Sequence, residues 1–567
     1  MEESNFPIGS APSNMPTDWM AINWHHVSRC VRGMQIRITK ATQEGNWRRV
    51  KSLQRMLTRS FTAKVSAVRR VTENQGKRTA GVDRVLWKTP ESRWAAVSSL
   101  QRRGYKPLPL RRVFIPKANG KERPLGIPTM KDRAMQALHL LALEPVAETI
   151  GEPNSFGFRR NRSTADASAQ LFICLAKKYS PQWVLEADIK GCFDHIDHSW
   201  LVDSVPMDKV ILKSWLKAGV VFKEEYISTT EGTPQGGIIS PTLANMALTG
   251  LERELKSYLY ATLGYTKEQQ AKVNVIRYAD DFVITGASKE ILDVYVRPWV
   301  EKFLAIRGLE LSIEKTRITH IETGFEFLGW NFRKYKGKYL HKPSAKNVNA
   351  FYRKVKNTIK ANRMSRQVEL IKELNPILRG WAQYHSIAVA KETFSKLDWL
   401  IFRAIWCWAR RRHNNKGLKW VKDRYFHSSG NRHWNFSVIK PDKDSKRSDL
   451  SLYRLSDTAI IRHVKIKGGY NPFDPAYEMY GESRRNDRMM RSRSHRTEWA
   501  SLYLSQDGCC ALCHGPITEE TGWHDHHIVH RVAGGSHAQS NRVLLHPMCH
   551  VQLHSAGLTV VKPSARA

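Results

Sequence analysis

Three aspartates stand where the sequence pattern would gather carboxylates in one place. In Val273-Asn-Val-Ile-Arg-Tyr-Ala-Asp-Asp-Phe-Val-Ile-Thr285 two β-forming runs, 273–278 and 282–285, flank Asp280 and Asp281. That pattern predicts a hairpin carrying two carboxylates at its tip. Adjacent acids in an apolar hairpin repel one another and invite protonation unless a cation sits over them. A simple polar turn is the ordinary alternative for an isolated pair. A third acid, Asp188, ends a matching apolar run, Trp183-Val-Leu-Glu-Ala-Asp-Ile-Lys-Gly-Cys-Phe193. Three carboxylates on neighbouring strand ends can hold two Mg²⁺ ions, the apparatus of in-line nucleotidyl transfer.

A second constellation lies near the C-terminal end. Cys510-x-x-Cys513 and His546-x-x-Cys549 have the spacing of a tetrahedral structural Zn²⁺ site, with Cys509 left over. Clustered cysteines in a reducing compartment point to metal rather than disulfides. Cys30, Cys174, Cys192 and Cys407 are scattered and read as small buried residues. Inside the frame or just past it stand His526-His527, Gly534-Gly535, Asn541, His550 and His554. His550 and His554, four apart, share one helix face. A zinc knuckle that binds DNA without cutting needs only the first four ligands, and it leaves this second histidine set unexplained.

At this point the chain resembles a known family. Tyr278-Ala-Asp-Asp281 is similar to the signature of reverse transcriptases, and Ala187-Asp-Ile-Lys-Gly-Cys-Phe-Asp194 to their first metal-binding motif. The wording resembles that of proteins encoded within mobile group II introns. The block Gly232-Thr-Pro-Gln-Gly-Gly-Ile-Ile-Ser-Pro241, between the two acidic motifs, resembles the same lineage. Its glycines let backbone approach a template strand or base pair, where Gln235 can hydrogen-bond. The resemblance implies that Asp188, Asp280 and Asp281 form the catalytic trio holding two Mg²⁺. Lys117 and Arg123, on the predicted hairpin strands 111–117 and 123–128, would neutralise the incoming triphosphate. Phe193 would lie beneath the sugar and exclude a 2′-hydroxyl, and Lys315 would reach a phosphate or the metal site. Taken from the residues alone, the three cations also read as surface charges and Phe193 as a core ring. Asn154-Ser-Phe-Gly-Phe-Arg-Arg160 resembles the family's next block, with Arg159 and Arg160 as template contacts or as part of a core-anchored loop. The C-terminal order of His-His, Gly-Gly, Asn and Leu-His-x-x-Cys-His resembles HNH endonucleases. That implies His527 as the general base, His526, His550 and His554 as ligands of one divalent ion, and Asn541 as the residue orienting the loop. Asp525 could compete as a ligand.

These residues need scaffolds. The fold expected is multidomain α+β: right-hand polymerase fingers and palm, an α-helical thumb (domain X), and a C-terminal ββα-metal HNH domain. A polar start and basic N-terminal helices are expected over 1–75, fingers and palm over 76–340, thumb over 341–428, a DNA-binding region or linker over 429–497, and the HNH domain over 498–567. A helix is expected over 243–251. In the thumb the stripe Trp381, Trp399, Phe402, Trp406 and Trp408 reads as core. Arg484-Arg-Asn-Asp-Arg-Met-Met-Arg-Ser-Arg-Ser-His-Arg496 reads as phosphate contacts or a charged linker.

Composition narrows the partners. The 567 residues carry 91 Lys plus Arg against 52 Asp plus Glu, a formal charge of +39. Such an excess suits a polyanion whose counterions are released on binding. Eighteen Trp and 18 Tyr favour a folded nucleic-acid binder over a basic tail. No run approaches a membrane span, and the first residues carry neither a signal nor a transit pattern, so cytoplasmic use is expected. The leading reading is an intron-encoded mobility enzyme. It would bind group II intron RNA and aid splicing, nick double-stranded target DNA, and extend the 3′-OH with dNTPs by copying the RNA. The alternatives are a splicing-only RNA-binding scaffold with a non-cutting zinc domain, and an RNA-templated RNA polymerase.

Overall fold

The computed structural model describes residues 18–562 apart from 117–119, 121, 234–235, 441–447, 492–496 and 531–532. Three helices open the chain: α1 Trp24–Gln43, α2 Trp47–Arg59 and α3 Phe61–Glu73. Asn23, Asn46 and Ser60 cap them by accepting a backbone N–H in the first turn. All three pack on the helix Met130–Ile150, most of which is buried. That helix contains Pro145, which has no N–H to offer the carbonyl of Leu141. Gln35 of α1 donates to Leu141 O at 2.9 Å, and Gln54 of α2 donates to Ala142 O at 3.2 Å. The proline is thus repaired by side chains of the layer covering it.

The fingers hairpin runs over Leu110–Pro116 and Glu122–Ile127, with Val220–Phe222 parallel to its first strand. The palm sheet has the antiparallel order Asn274–Tyr278, Asp281–Gly286, Trp183–Asp188, Arg317–His320. Both of its faces are buried, Leu185 and Ile284 in one core cluster and Val184, Ile276 and Val283 in another, and this two-sided burial holds the strands in place. A single helix over 243–251 is not what forms. Ser240–Ala247 and Leu251–Leu263 are separate helices, because Gly250 sits at φ +105 between them.

The thumb is built from Ala345–Ala361, Gln367–His385, Lys391–Arg411 and Leu418–Tyr425. Its core continues past 428 to take in Phe436 and Leu455. Trp408 is buried and Trp381, Phe402 and Trp406 pack on this core, but Trp399 is 56% exposed, so the expected stripe is core only in part. The segment beyond is tied to the palm. Asp166, wholly buried, accepts from the backbone of Ile466, from Arg484 and from His463. Arg484, expected on phosphate or in a linker, therefore faces an internal acid. The rest of that basic run over 492–496 lies outside the described residues.

Of the two expectations for Arg159, the core-anchored loop is the one that the structure matches: it and Arg162 are buried against Glu148 at 2.9 and 2.8 Å. Burial alone would raise the Glu148 carboxyl, but the two guanidiniums hold it below its ordinary range. Arg160, half-exposed, pairs with Glu144. Glu148→Gln, which strands two buried cations, is expected to cost about 3–5 kcal/mol of stability, read from the denaturant midpoint.

Candidate functional site

The palm strands bring the three predicted acids together. Asp188 and Asp281 are direct cross-strand partners, and Asp280 occupies the two-residue turn between Tyr278 and Asp281. Like charges placed opposite in a sheet destabilise it, so the arrangement calls for a cation. Burial, a hydrogen bond with Asp188 and the charges of Asp280 and Asp188 push the Asp281 carboxyl up to about 7. Asp281 as a residue is exposed, whereas its carboxyl is turned to Asp188. Burial and Asp188 also raise Asp280. Two carboxylates paired across the sheet and a third in the adjoining turn offer hard oxygen donors of the kind that suit divalent ions such as Mg²⁺.

Cations approach the cluster from two sides. Lys315 donates to Asp188 Oδ2 at 2.5 Å. Its loop is fastened to the Asp188 strand by Ser312 N to Asp188 O and Lys190 N to Glu310 O. Arg123, on the second fingers strand, lies near enough to lower Asp280 electrostatically. Lys117 and Gln235, and most of the fingers turn 118–121, lie outside the described residues. Phe193 is buried in the short helix Cys192–His195, one turn past the Asp188 strand. Cys192 is buried behind the acids, which with burial push its thiol to about 12 and leave it inert.

In the C-terminal module Cys510, Cys513, His546 and Cys549 place their ligand atoms within 4.8 Å of one another, all buried. Three sulfurs and one imidazole at that spacing fit a structural Zn²⁺. A second group, His526, His550 and His554, is equally compact and lies partly open to solvent, as a catalytic ion requires. His526 ends up there through strand pairing of His524–His527 with Arg542–Leu545, and the other two through the helix Pro547–Ser555. Burial and the neighbouring histidines lower His526 to about 4, so it presents a neutral nitrogen at pH 7. His527, the next residue along, sets Nε2 2.9 Å from His537 Nδ1. Asp525 is not in the ligand group: it pairs with Arg542 and accepts from the Trp499 indole. Asn541 accepts from Val529 N and donates to Val529 O and Ser536 O, closing the loop that follows His527. Of the scattered cysteines, Cys407 is exposed, and only Cys192 is fully buried.

Known proteins align with these pieces in the same order. Family models match for the N-terminal domain of reverse transcriptase over 19–100, reverse transcriptase (RNA-dependent DNA polymerase) over 115–332, the group II intron maturase-specific domain over 348–426, and HNH endonuclease over 510–556. Protein YkfC of Escherichia coli K12 is 32% identical over 328 residues, 51% of this chain and 85% of YkfC. The group II intron-encoded protein LtrA of Lactococcus lactis is 31% identical over 358 residues, 52% of this chain and 59% of LtrA. The chain belongs to the group II intron-encoded reverse transcriptase–maturases. It carries the HNH endonuclease domain at its C-terminal end. Maturase-like protein 1 of Euglena gracilis is 26% identical, covering 64% of this chain and 76% of that protein. Among the described residues no helix is long and apolar enough to cross a membrane.

The reverse transcriptase palm also uses residues that the sequence did not single out. Ala279, in the turn that carries Asp280, has φ +60, and a Cβ on Gly157 would overlap its backbone nitrogen. Arg277, buried beneath the turn, donates to Ala279 O and to Asn245 Oδ1, while Asn245 donates to Gly157 O. Burial lowers the Arg277 guanidinium to about 10, still charged at neutral pH. Phe158, at φ +57 and 55% exposed, sets its ring edge-on to Phe193 at 6.1 Å. A lone glycine and a lone arginine carry no signal of such a clamp; the positive φ at an alanine is visible only in the structure. Gly157→Ala is expected to lower the single-turnover rate of primer extension about tenfold or more, because small displacements at a reacting centre are costly. Because the overlap is with backbone, the melting temperature should fall as well, so the rates are compared at a temperature where both proteins are folded.

Proposed function

We propose that this chain nicks one strand of target DNA with its HNH module and extends the new 3′-OH in the palm, copying the intron RNA it binds. The observation that carries the reading is the pairing of Asp188 with Asp281 across the palm sheet, with Asp280 in the turn and Lys315 on Asp188. Divalent ions held by those carboxylates would activate the primer hydroxyl and neutralise the triphosphate. Lys315 counters charge beside Asp188, and Arg123 faces the site from the fingers, where phosphates of an incoming dNTP would lie. Phe193 closes the floor where a 2′-hydroxyl would project. In the HNH module His527 would take a proton from water, while His526, His550 and His554 hold the ion that polarises the phosphate. Asn541 fixes the loop bearing on His527. The thumb and its basic helices, with the formal charge of +39, supply the RNA-binding surface of a maturase.

The order of events is testable by separating the two sites. The wild-type protein with its RNA is expected to yield cDNA joined covalently to the nicked DNA strand. His527→Ala should yield none on intact DNA and recover full synthesis on DNA nicked beforehand. Failure of pre-nicked DNA to restore synthesis would show that the nick does not supply the primer.

A further inference from the structure

The zinc ligands lie against the N-terminal helices, and one residue of those helices reaches them. Arg69 of α3 sets its guanidinium 4.5 Å from the Trp24 ring centroid and pairs with Glu73 at 2.9 Å. Its remaining edge lies 3.6 Å from Cys549 Sγ and 3.4 Å from His546 Nδ1, with the side chain only 14% exposed. Three further contacts bridge the same two bodies. Gln552 donates to Met20 O and Ile22 O at 2.7 and 2.9 Å, Arg93 meets Met548 Sδ, and His25 packs edge-on to His514. On the endonuclease side every one of these residues lies within four positions of a zinc ligand. On the polymerase side they come from 20–25, α3 and the helix Pro90–Ser99.

The physics of the cluster ties metal to docking. Three thiolates around a divalent ion leave one net negative charge in a buried place. A guanidinium that donates to a ligating sulfur offsets that charge and holds the ligand in place. A structural site of this size is ordered largely by the metal, so the binding free energy of the ion is also folding free energy. The turn bearing His514 and the helix bearing Met548 and Gln552 therefore present their docking face only while the ion holds them together.

We propose that Arg69 is an outer partner of the zinc cluster and that this cluster is the joint fastening the endonuclease to the N-terminal layer of the polymerase. Zinc occupancy and docking are then one coupled equilibrium, each favouring the other by the same factor. The proposal rests on the structural-zinc reading of Cys510, Cys513, His546 and Cys549.

Two measurements on the full-length chain test it. In the first, zinc content is measured, and zinc release is followed into an excess of a chromophoric chelating indicator. Arg69→Met is expected to release zinc about tenfold faster or more, the factor of one lost charge-assisted hydrogen bond. Arg69→Lys should fall between, and Arg48→Met, on the exposed face of α2, should match wild type. In the second, amide exchange of the wild-type chain is compared before and after chelation. Peptides covering 19–27 are expected to lose protection together with those covering 547–555. Loss of protection confined to 547–555, or equal release from wild type and Arg69→Met, overturns the joint. A chain that retains no zinc at all removes the structural-zinc reading, and the joint with it.

Discussion

Asp188→Asn, Asp280→Asn and Asp281→Asn are each expected to reduce RNA-templated DNA synthesis by about a thousandfold or more while leaving RNA binding unchanged. A loss of this size is on the order of 4 kcal/mol of transition-state stabilisation, consistent with removing a ligand to a metal that carries the developing charge. Primer extension on an RNA template, beside filter binding of the same RNA, measures both. Incorporation within tenfold of wild type in any of the three would remove that residue from the site. The protein fold should survive, since Asp188→Asn and Asp281→Asn relieve repulsion between cross-strand neighbours and Asp280→Asn removes a charge that bears on Asp281. The pH behaviour carries a sign of its own. Asp281 sits raised at about 7, so without divalent ions it keeps its proton at mildly acidic pH. Protonated Asp281 cannot ligate a cation, and the Mg²⁺ concentration needed for half-maximal synthesis should climb as pH falls through about 7. A raised carboxyl contributes stability that is complete below the ordinary carboxylate range and is lost as pH rises through its folded value. The metal-free chain should therefore soften between about pH 4 and 7, and Mg²⁺ should restore it. Asp281→Asn should flatten both dependences.

How much of this was legible in the sequence depends on whether the determinant was local. The acid trio was legible because strand alternation around Asp188 and Asp280–Asp281 leaves few ways to pair the runs. The zinc group of the HNH module was legible because the Cys-x-x-Cys and His-x-x-Cys spacings fix ligand geometry over a few residues, whereas the set of His526, His550 and His554 came from the resemblance to HNH endonucleases, with only the four-residue step from His550 to His554 local. Arg159 was not: its partner Glu148 sits on a separate helix, and a basic pair after a glycine reads equally as a surface contact. The segment past 428 lacked a clear period because a short sheet and a stretch of extended chain precede the helix Glu478–Arg491, which is polar along most of its length. Its place is fixed by single anchors such as Asp166 with His463 and Arg484, not by a repeating apolar face. The break at Gly250 and the clamp formed by Gly157, Arg277 and Asn245 depend on backbone angles and close approaches that residue type alone does not disclose. Trp399 shows the converse limit. It has the spacing of a core position in a helix whose buried face is narrower than its apolar stripe.

The endonuclease offers the sharpest separation of roles, because its two histidine-bearing metal groups share one helix. His527→Ala is expected to lower target-DNA nicking by about 10²–10⁴-fold, the range lost with a general base, with zinc content and synthesis on pre-nicked DNA unchanged. His550→Ala should lower nicking at least as far, since it opens the catalytic-ion group, and excess Mn²⁺ or Mg²⁺ should recover part of that loss but none of the loss in His527→Ala. Cys549→Ser addresses the other group from the same helix, one residue away from His550. It should cost nicking through unfolding of the module, visible as loss of zinc and of amide protection over 547–555. The three variants thus distinguish a base, a catalytic ligand and a structural ligand by different readouts. Nicking that persists in His527→Ala would shift the proton transfer to another group, with His537 at 2.9 Å from His527 as the next to replace. Nicking that persists in both histidine variants would place the cleaving site outside this histidine group and leave the module a zinc-held DNA binder.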